Sequence, residues 1–174
     1  MPDRPNGFSL MENEKYTIKR FEVQGDEALT VAPGDCVDQD GDGYVARAAA
    51  NAGVTVVGVV TNCYNSSMVA QKSLAASTAG FVDVALALPG TRFIVQGNGT
   101  DALANIGATA NHVDGAADTF RGRSIQELNS SDYGSGLQLR VLGRVDAVDN
   151  AWGSNTDMVV VFNESIFAGD QASV

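Results

Sequence analysis

Three carboxylates at alternate positions, Asp38, Asp40 and Asp42, followed by Gly43, are the side chains in this chain best spaced to hold a cation. They occupy the first, third, fifth and sixth positions of a calcium loop, and Val45 stands at its apolar eighth position. The twelfth position should supply a bidentate carboxylate and is Ala49, while the ninth is Ala46. The expectation is at most a weakly bound calcium. The competing reading is a β-hairpin turn in which Asp and Gly supply the positive φ angles.

Other chemistry is thinner. His112 is the sole histidine, so a Ser-His-Asp relay would have to use it. No Gly-x-Ser-x-Gly elbow frames a nucleophile, and the Asn-His-Val-Asp context reads as a surface or loop histidine. The carboxylate pairs Asp114/Asp118 and Asp146/Asp149 sit in Gly, Ala or Asn-rich stretches and read as solvated turns. GNGTDALANIG (97–107) puts glycines before a helix start but lacks a P-loop lysine. Arg121, Arg123, Arg140 and Arg144 form the densest basic group of the C-terminal half, and basic residues do not cluster with aromatics. Cys36 and Cys63 lack a metal-type spacing and read as small semi-buried residues, with a disulfide between them left open. No catalytic set and no cofactor other than that calcium are expected.

The elements that would position these groups are short strands. The chain has 174 residues, 44% of them apolar, with 19 glycines. That composition suits one β-rich domain with many tight turns. Acids outnumber bases 21 to 11, for a net charge of −10. Such a surface disfavours nucleic acid and anionic membranes. No apolar run reaches the roughly 18 residues of a membrane span, and the polar start MPDRPNGFSLMENEKY has no leader-like apolar region.

Residues 1–16, with Pro2, Pro5, Asn6 and Gly7, read as a flexible N-terminal arm ahead of a single domain over 17–174. Strands are expected at 17–23, 28–32, 44–48, 54–61, 81–88, 91–97, 137–145 and 157–163. Pro89-Gly90 is expected to join two of them as a hairpin. In 137–145, Leu137, Leu139, Val141 and Val145 should face one way and Gln138, Arg140 and Arg144 the other; 157–163 suits a strand buried on both faces. Residues 62–80 read as a loop with one or two helical turns, and 100–107 as a short helix closed by Gly107. The fold class is mainly β: a compact β-barrel or sandwich with one or two short helices.

Two stretches carry a resemblance. ALTVAPGDCVDQDGDGYVARAAANAGVTVVGVV, followed by STAGFVDVALALPGTRFIVQ, resembles the head-decoration (cement) proteins of tailed bacteriophages. The run from FIVQGNG through ALANIGATANHVDG to GRSIQEL and LQLRVLGRVDAVDN is similar to virion structural proteins of marine and cyanobacterial phages. The resemblance covers about residues 28–163 and implies a non-enzymatic β-protein, made in the host cytoplasm. Its implied place is the capsid exterior, where it clamps the phage major capsid protein as a homo-oligomer, a trimer by preference. The residues leave an alternative: a calcium-dependent receptor-binding or adhesion module such as a spike or fibre tip, built on Asp38, Asp40 and Asp42.

Overall fold

A computed structural model describes residues 5–50 and 53–167. In chain order its strands are β1 (Ser9–Leu10), β2 (Ile18–Val23), β3 (Cys36–Gln39), β4 (Val45–Arg47), β5 (Val56–Asn65), β6 (Ala70–Gln71), β7 (Gly80–Leu86) and β8 (Arg92–Gln96). There follow β9 (Thr100–Asp101), β10 (Thr109–Ala110), β11 (His112–Val113), β12 (Glu127–Leu128), β13 (Leu139–Arg144), β14 (Gly153–Ser154) and β15 (Asp157–Phe162). The pairings between these strands are antiparallel.

Two sheets carry the fold. The first runs β1-β8-β15-β13-β10 and the second β2-β7-β5-β3-β4, with β6 added on β5. Two short ladders, β11–β12 and β9–β14, stand apart. The architecture is a sandwich and not a closed barrel. The second sheet curls until its end strands β2 and β4 come within 8 Å, yet no ladder joins them.

The second sheet is buried on both faces. Toward the first sheet it turns Cys36, Val59 and Ala85, which meet Phe93, Val141, Met158 and Val160. On its other face Val37, Val57, Val60, Val82 and Val84 pack with Val31 and Leu74 from the loops that cover them. A strand sandwiched this way is apolar at consecutive positions, which is why β5 opens Val-Val-Gly-Val-Val. Gly58 is obligatory in that run, because a Cβ there would lie 2.1 Å from the Ala85 carbonyl oxygen.

Several expectations fail for identifiable reasons. Pro89-Gly90 makes a turn, with Thr91 N donating to Leu88 O at 2.9 Å, but no hairpin forms. Both edges of β7 are already taken by β2 and β5, so the chain crosses to the other sheet. Segment 66–79 holds β6 and no helix: Asn65 Oδ1 accepts from Ser67 N and Val69 N and fixes a turn instead. At 100–107 only a 3-10 turn, Leu103–Asn105, forms, because Thr100–Asp101 pairs with Gly153–Ser154. Residues 28–32 contribute one bridge, Val31 to Leu74. β15 alternates: Met158, Val160 and Phe162 are buried, while Asp157, Val159 and Val161 are half-buried on the outer face. A bulge between Val141 and Gly143 breaks the alternation of β13.

Residues 5–16 depart most from expectation, since they pack into the domain they were expected to precede. Phe8 is 2% exposed and packs on Phe162 at 5.3 Å between ring centroids. Ser9 and Leu10 pair with Ile94 and Phe93. The Tyr16 hydroxyl donates to Arg92 O and accepts from Met11 N, both at 2.7 Å. An aromatic followed by two strand-competent residues outweighs the prolines and glycine around it. Residues 1–4 of the expected arm lie outside the described residues.

Candidate functional site

The calcium-like turn is the loop between β3 and β4, where Gln39 pairs with Val45. Asp40 Oδ1 accepts from Asp42 N at 3.1 Å and Tyr44 N at 3.0 Å, and Gly43 adopts φ +92°. The carboxylate at the centre of the motif thus holds its own backbone. Asp38 lies on β3, half-buried, and burial raises its pKa, with Glu27 and Asp40 adding to the rise. Among the described residues no three His, Cys, Asp or Glu side chains gather as a metal-binding group.

The titratable groups converge elsewhere, in the interior. His112 is not a surface residue; it is 1% exposed. Its Nδ1 lies 2.8 Å from Gln138 Oε1 and its Nε2 lies 3.2 Å from Ala48 O. Gln138 Nε2 donates to Ala49 O at 2.8 Å, which fixes the orientation of that amide. A neutral imidazole has one N–H, and we assign it to Nδ1, the nearer contact. The Cys36 sulfur stands 3.6 Å from Nε2 and 3.8 Å from Nδ1, so it packs against the ring and lies on the lone-pair axis of neither nitrogen. Burial lowers the His112 pKa, against the hydrogen bonds of Gln138 and Ala48 that raise it.

A buried ionic group adjoins this trio. Asp35 precedes Cys36 and accepts from Ala32 N at 2.8 Å. Its Oδ1 stands 3.6 Å from Nε of Arg47, whose side chain is equally enclosed. Arg47 Nη2 donates to Asp114 and to the Gly115 carbonyl. Burial pushes the Asp35 carboxyl up to about 6, the Arg47 charge opposing it. Gln126 completes the set by accepting from Cys36 N at 2.8 Å. Five separated stretches of sequence, 35–36, 47–49, 112–115, 126 and 138, are thereby tied together.

A thiol, an imidazole and a side-chain amide packed together are the components of a nucleophilic triad. The electrostatics run the other way. A reactive dyad needs a depressed thiol pKa beside an imidazolium, whereas burial drives the Cys36 thiol well above its ordinary value and the His112 pKa down. All three side chains are enclosed, so the trio serves as a polar tie between sheet ends. Cys63 is buried on the opposite face of the second sheet; both cysteines are free thiols.

The remaining sequence candidates separate. Asp114 pairs with Arg47, while Asp118 accepts from Arg121 N at 3.0 Å, so the two do not act as an acid pair. Asp146 and Asp149 are exposed. Gly97 lies where Asp101 folds back on the chain, since a Cβ there would be 2.0 Å from Asp101 Oδ2. Arg140 donates to Asn163 Oδ1 at 3.1 Å, and Arg144 to the Asn150 carbonyl. Gln138 was expected beside Arg140 and Arg144 on a polar face and is wholly buried. The expected separation of basic from aromatic residues also fails: the Arg20 guanidinium lies 4.3 Å from the Tyr64 ring centroid, and exposed Arg121 directly follows Phe120, which is 88% exposed.

Sequence reading missed Asp35, Arg47 and Gln126. The signal available was an arginine inside the strand YVARA and an aspartate next to a cysteine at a strand start. The chain matches no protein family, no curated protein and no solved structure. No helix among the described residues is long and apolar enough to cross a membrane.

Proposed function

We propose that this chain is a virion structural protein that binds the outside of a phage capsid and stabilises the expanded lattice of the major capsid protein. The observation that carries the reading is the direction in which its side chains point. The groups able to do chemistry, Cys36, His112 and Asp35, are buried, while apolar side chains at Leu103, Phe120 and Val148 stand exposed. Exposed apolar side chains are available to anchor a protein partner. The resemblance of residues 28–163 to head-decoration proteins supports the same reading, and the net charge of −10 disfavours nucleic acid as the partner.

The mechanism is linkage. A protein that binds the expanded lattice and not its precursor stabilises the expanded state by the difference in binding free energy. A homotrimer multiplies weak contacts through effective concentration. Catalysis and cofactors have no part in this. Mixing the purified protein with expanded and unexpanded capsids and sedimenting the particles tests it. Co-sedimentation with expanded capsids alone is the expected result; absence from both, or equal binding to both, overturns it.

A further inference from the structure

Among the described residues the two most exposed large apolar side chains, Val148 at 103% and Phe120 at 88%, are each held out on a turn stapled by one polar side chain. Around Phe120 the chain doubles back: Asp118 N donates to Arg123 O at 2.9 Å, and Gly122 N to Asp118 O at 2.7 Å. Asp118 Oδ1 also takes Arg121 N, and Arg123 reaches Asn6 Oδ1 at 3.0 Å. Gly122, at φ +67°, lies against Lys72 so closely that a Cβ would be 2.5 Å from the lysine Cβ. The result is a fixed spur that carries Phe120 beside Arg121 and Arg123 and rests on the Lys72 segment, with the Arg121 guanidinium paired to Asp118 at 3.5 Å.

Val148 sits on the loop after β13, between exposed Asp146 and Asp149. Asn150, 1% exposed, pins that loop: its Nδ2 donates to Val145 O and Asp157 O, both at 2.8 Å, and its Oδ1 accepts from Asp157 N at 2.9 Å. One tip thus carries Phe120 with two arginines against one aspartate, and the other carries Val148 between two aspartates. Both are pre-ordered, which lowers the entropy lost on docking. The spur rests on Lys72 in the 66–79 segment, and the Val148 loop follows β13 of the first sheet.

We infer that the Phe120 spur of one chain docks on the Val148 loop of a second copy. The contact joins different patches head to tail, so it closes a ring or extends a chain. It deepens the oligomer named under the proposed function, yet its test needs no capsid, so the failure of either reading leaves the other standing.

Sedimentation velocity and light scattering on the purified chain, at low and high salt, read the contact out. The expected result is concentration-dependent association that weakens as salt rises. Phe120→Ala weakens it by roughly tenfold or more. A spur-reversed protein (Arg121→Glu with Arg123→Glu) and a loop-reversed protein (Asp146→Lys with Asp149→Lys) each stay monomeric, and an equimolar mixture of the two associates again. All five positions are exposed, and melting curves confirm that the variants fold. A wild-type chain that stays monomeric to concentrations on the order of 1 mM overturns the inference. So does an oligomer indifferent to both reversals, or a mixture that fails to recover.

Discussion

Cys36 and His112 pack together in the interior with the sulfur 3.6 Å from Nε2 and 3.8 Å from Nδ1, while Gln138 Oε1 holds Nδ1 at 2.8 Å. The contact brings the first residue of β3 against the first residue of β11, 76 positions later in the chain. It makes thiol chemistry a probe of folding.

Both thiols should be inert toward alkylating reagents in the native protein and react once denaturant opens it, since each is buried and shifted toward its protonated form. Mass spectrometry after a timed alkylation reads this directly. His112→Ala should cost about 3–5 kcal/mol, because it leaves a cavity and strands the Gln138 amide oxygen. Rapid labelling of native Cys36 would mean the two residues are not enclosed together.

Stability should depend on pH through two opposing groups in the same region. Burial raises the Asp35 pKa from 3.8 to about 6, so across that window the folded chain keeps a proton that the unfolded chain has lost. Its contribution is greatest in acid and declines as pH climbs through the window, by on the order of 3 kcal/mol. His112 behaves oppositely. Burial lowers its pKa below 6.5, so its contribution is present at neutral pH and is lost as pH falls below that value. Asp35→Asn should abolish the first slope and leave the second, in melting curves taken between about pH 4 and 7. Parallel curves for variant and wild type would refute the Asp35 assignment.

Removing residues 1–16 should destabilise the protein outright. The deletion takes Phe8 out of the core and strips β8 of its edge partner. Phe8→Ala alone should cost about 3–5 kcal/mol. A truncated chain that melts with the full one would show that the segment contributes nothing to the fold.

Asp40→Ala should cost about 1 kcal/mol through the loss of two acceptor contacts to the hairpin backbone. The loss should be the same in calcium as in chelator. A melting temperature that rises with calcium in the wild type and not in this variant would instead favour the receptor-binding alternative.

How much of this was legible in the sequence follows the physics of each signal. β2, β5 and β7 announce themselves because alternation and apolar runs are local properties, and the alternation of Val82 and Val84 with Asp83 and Ala85 marks the two faces of β7. Partners were not legible. Nothing at Pro89-Gly90 tells that both edges of β7 are occupied, and nothing beside Phe8 tells that Phe162 awaits it. The Asp40 turn was readable as a hairpin because Asp and Gly determine it within five residues. The Asp35, Arg47 and His112 assembly was not, because its members are polar residues whose burial depends on five separated segments arriving together.

The strand order of the first sheet bears on when the protein can fold. β15, which ends at Phe162, lies between β8 and β13 and pairs with both. During synthesis, β8 and β13 leave the ribosome without the ladder that unites them, and the early Phe8 segment finds only one of its walls. That sheet cannot assemble until residue 162 has emerged, and the nascent chain carries unpaired apolar strands in the meantime.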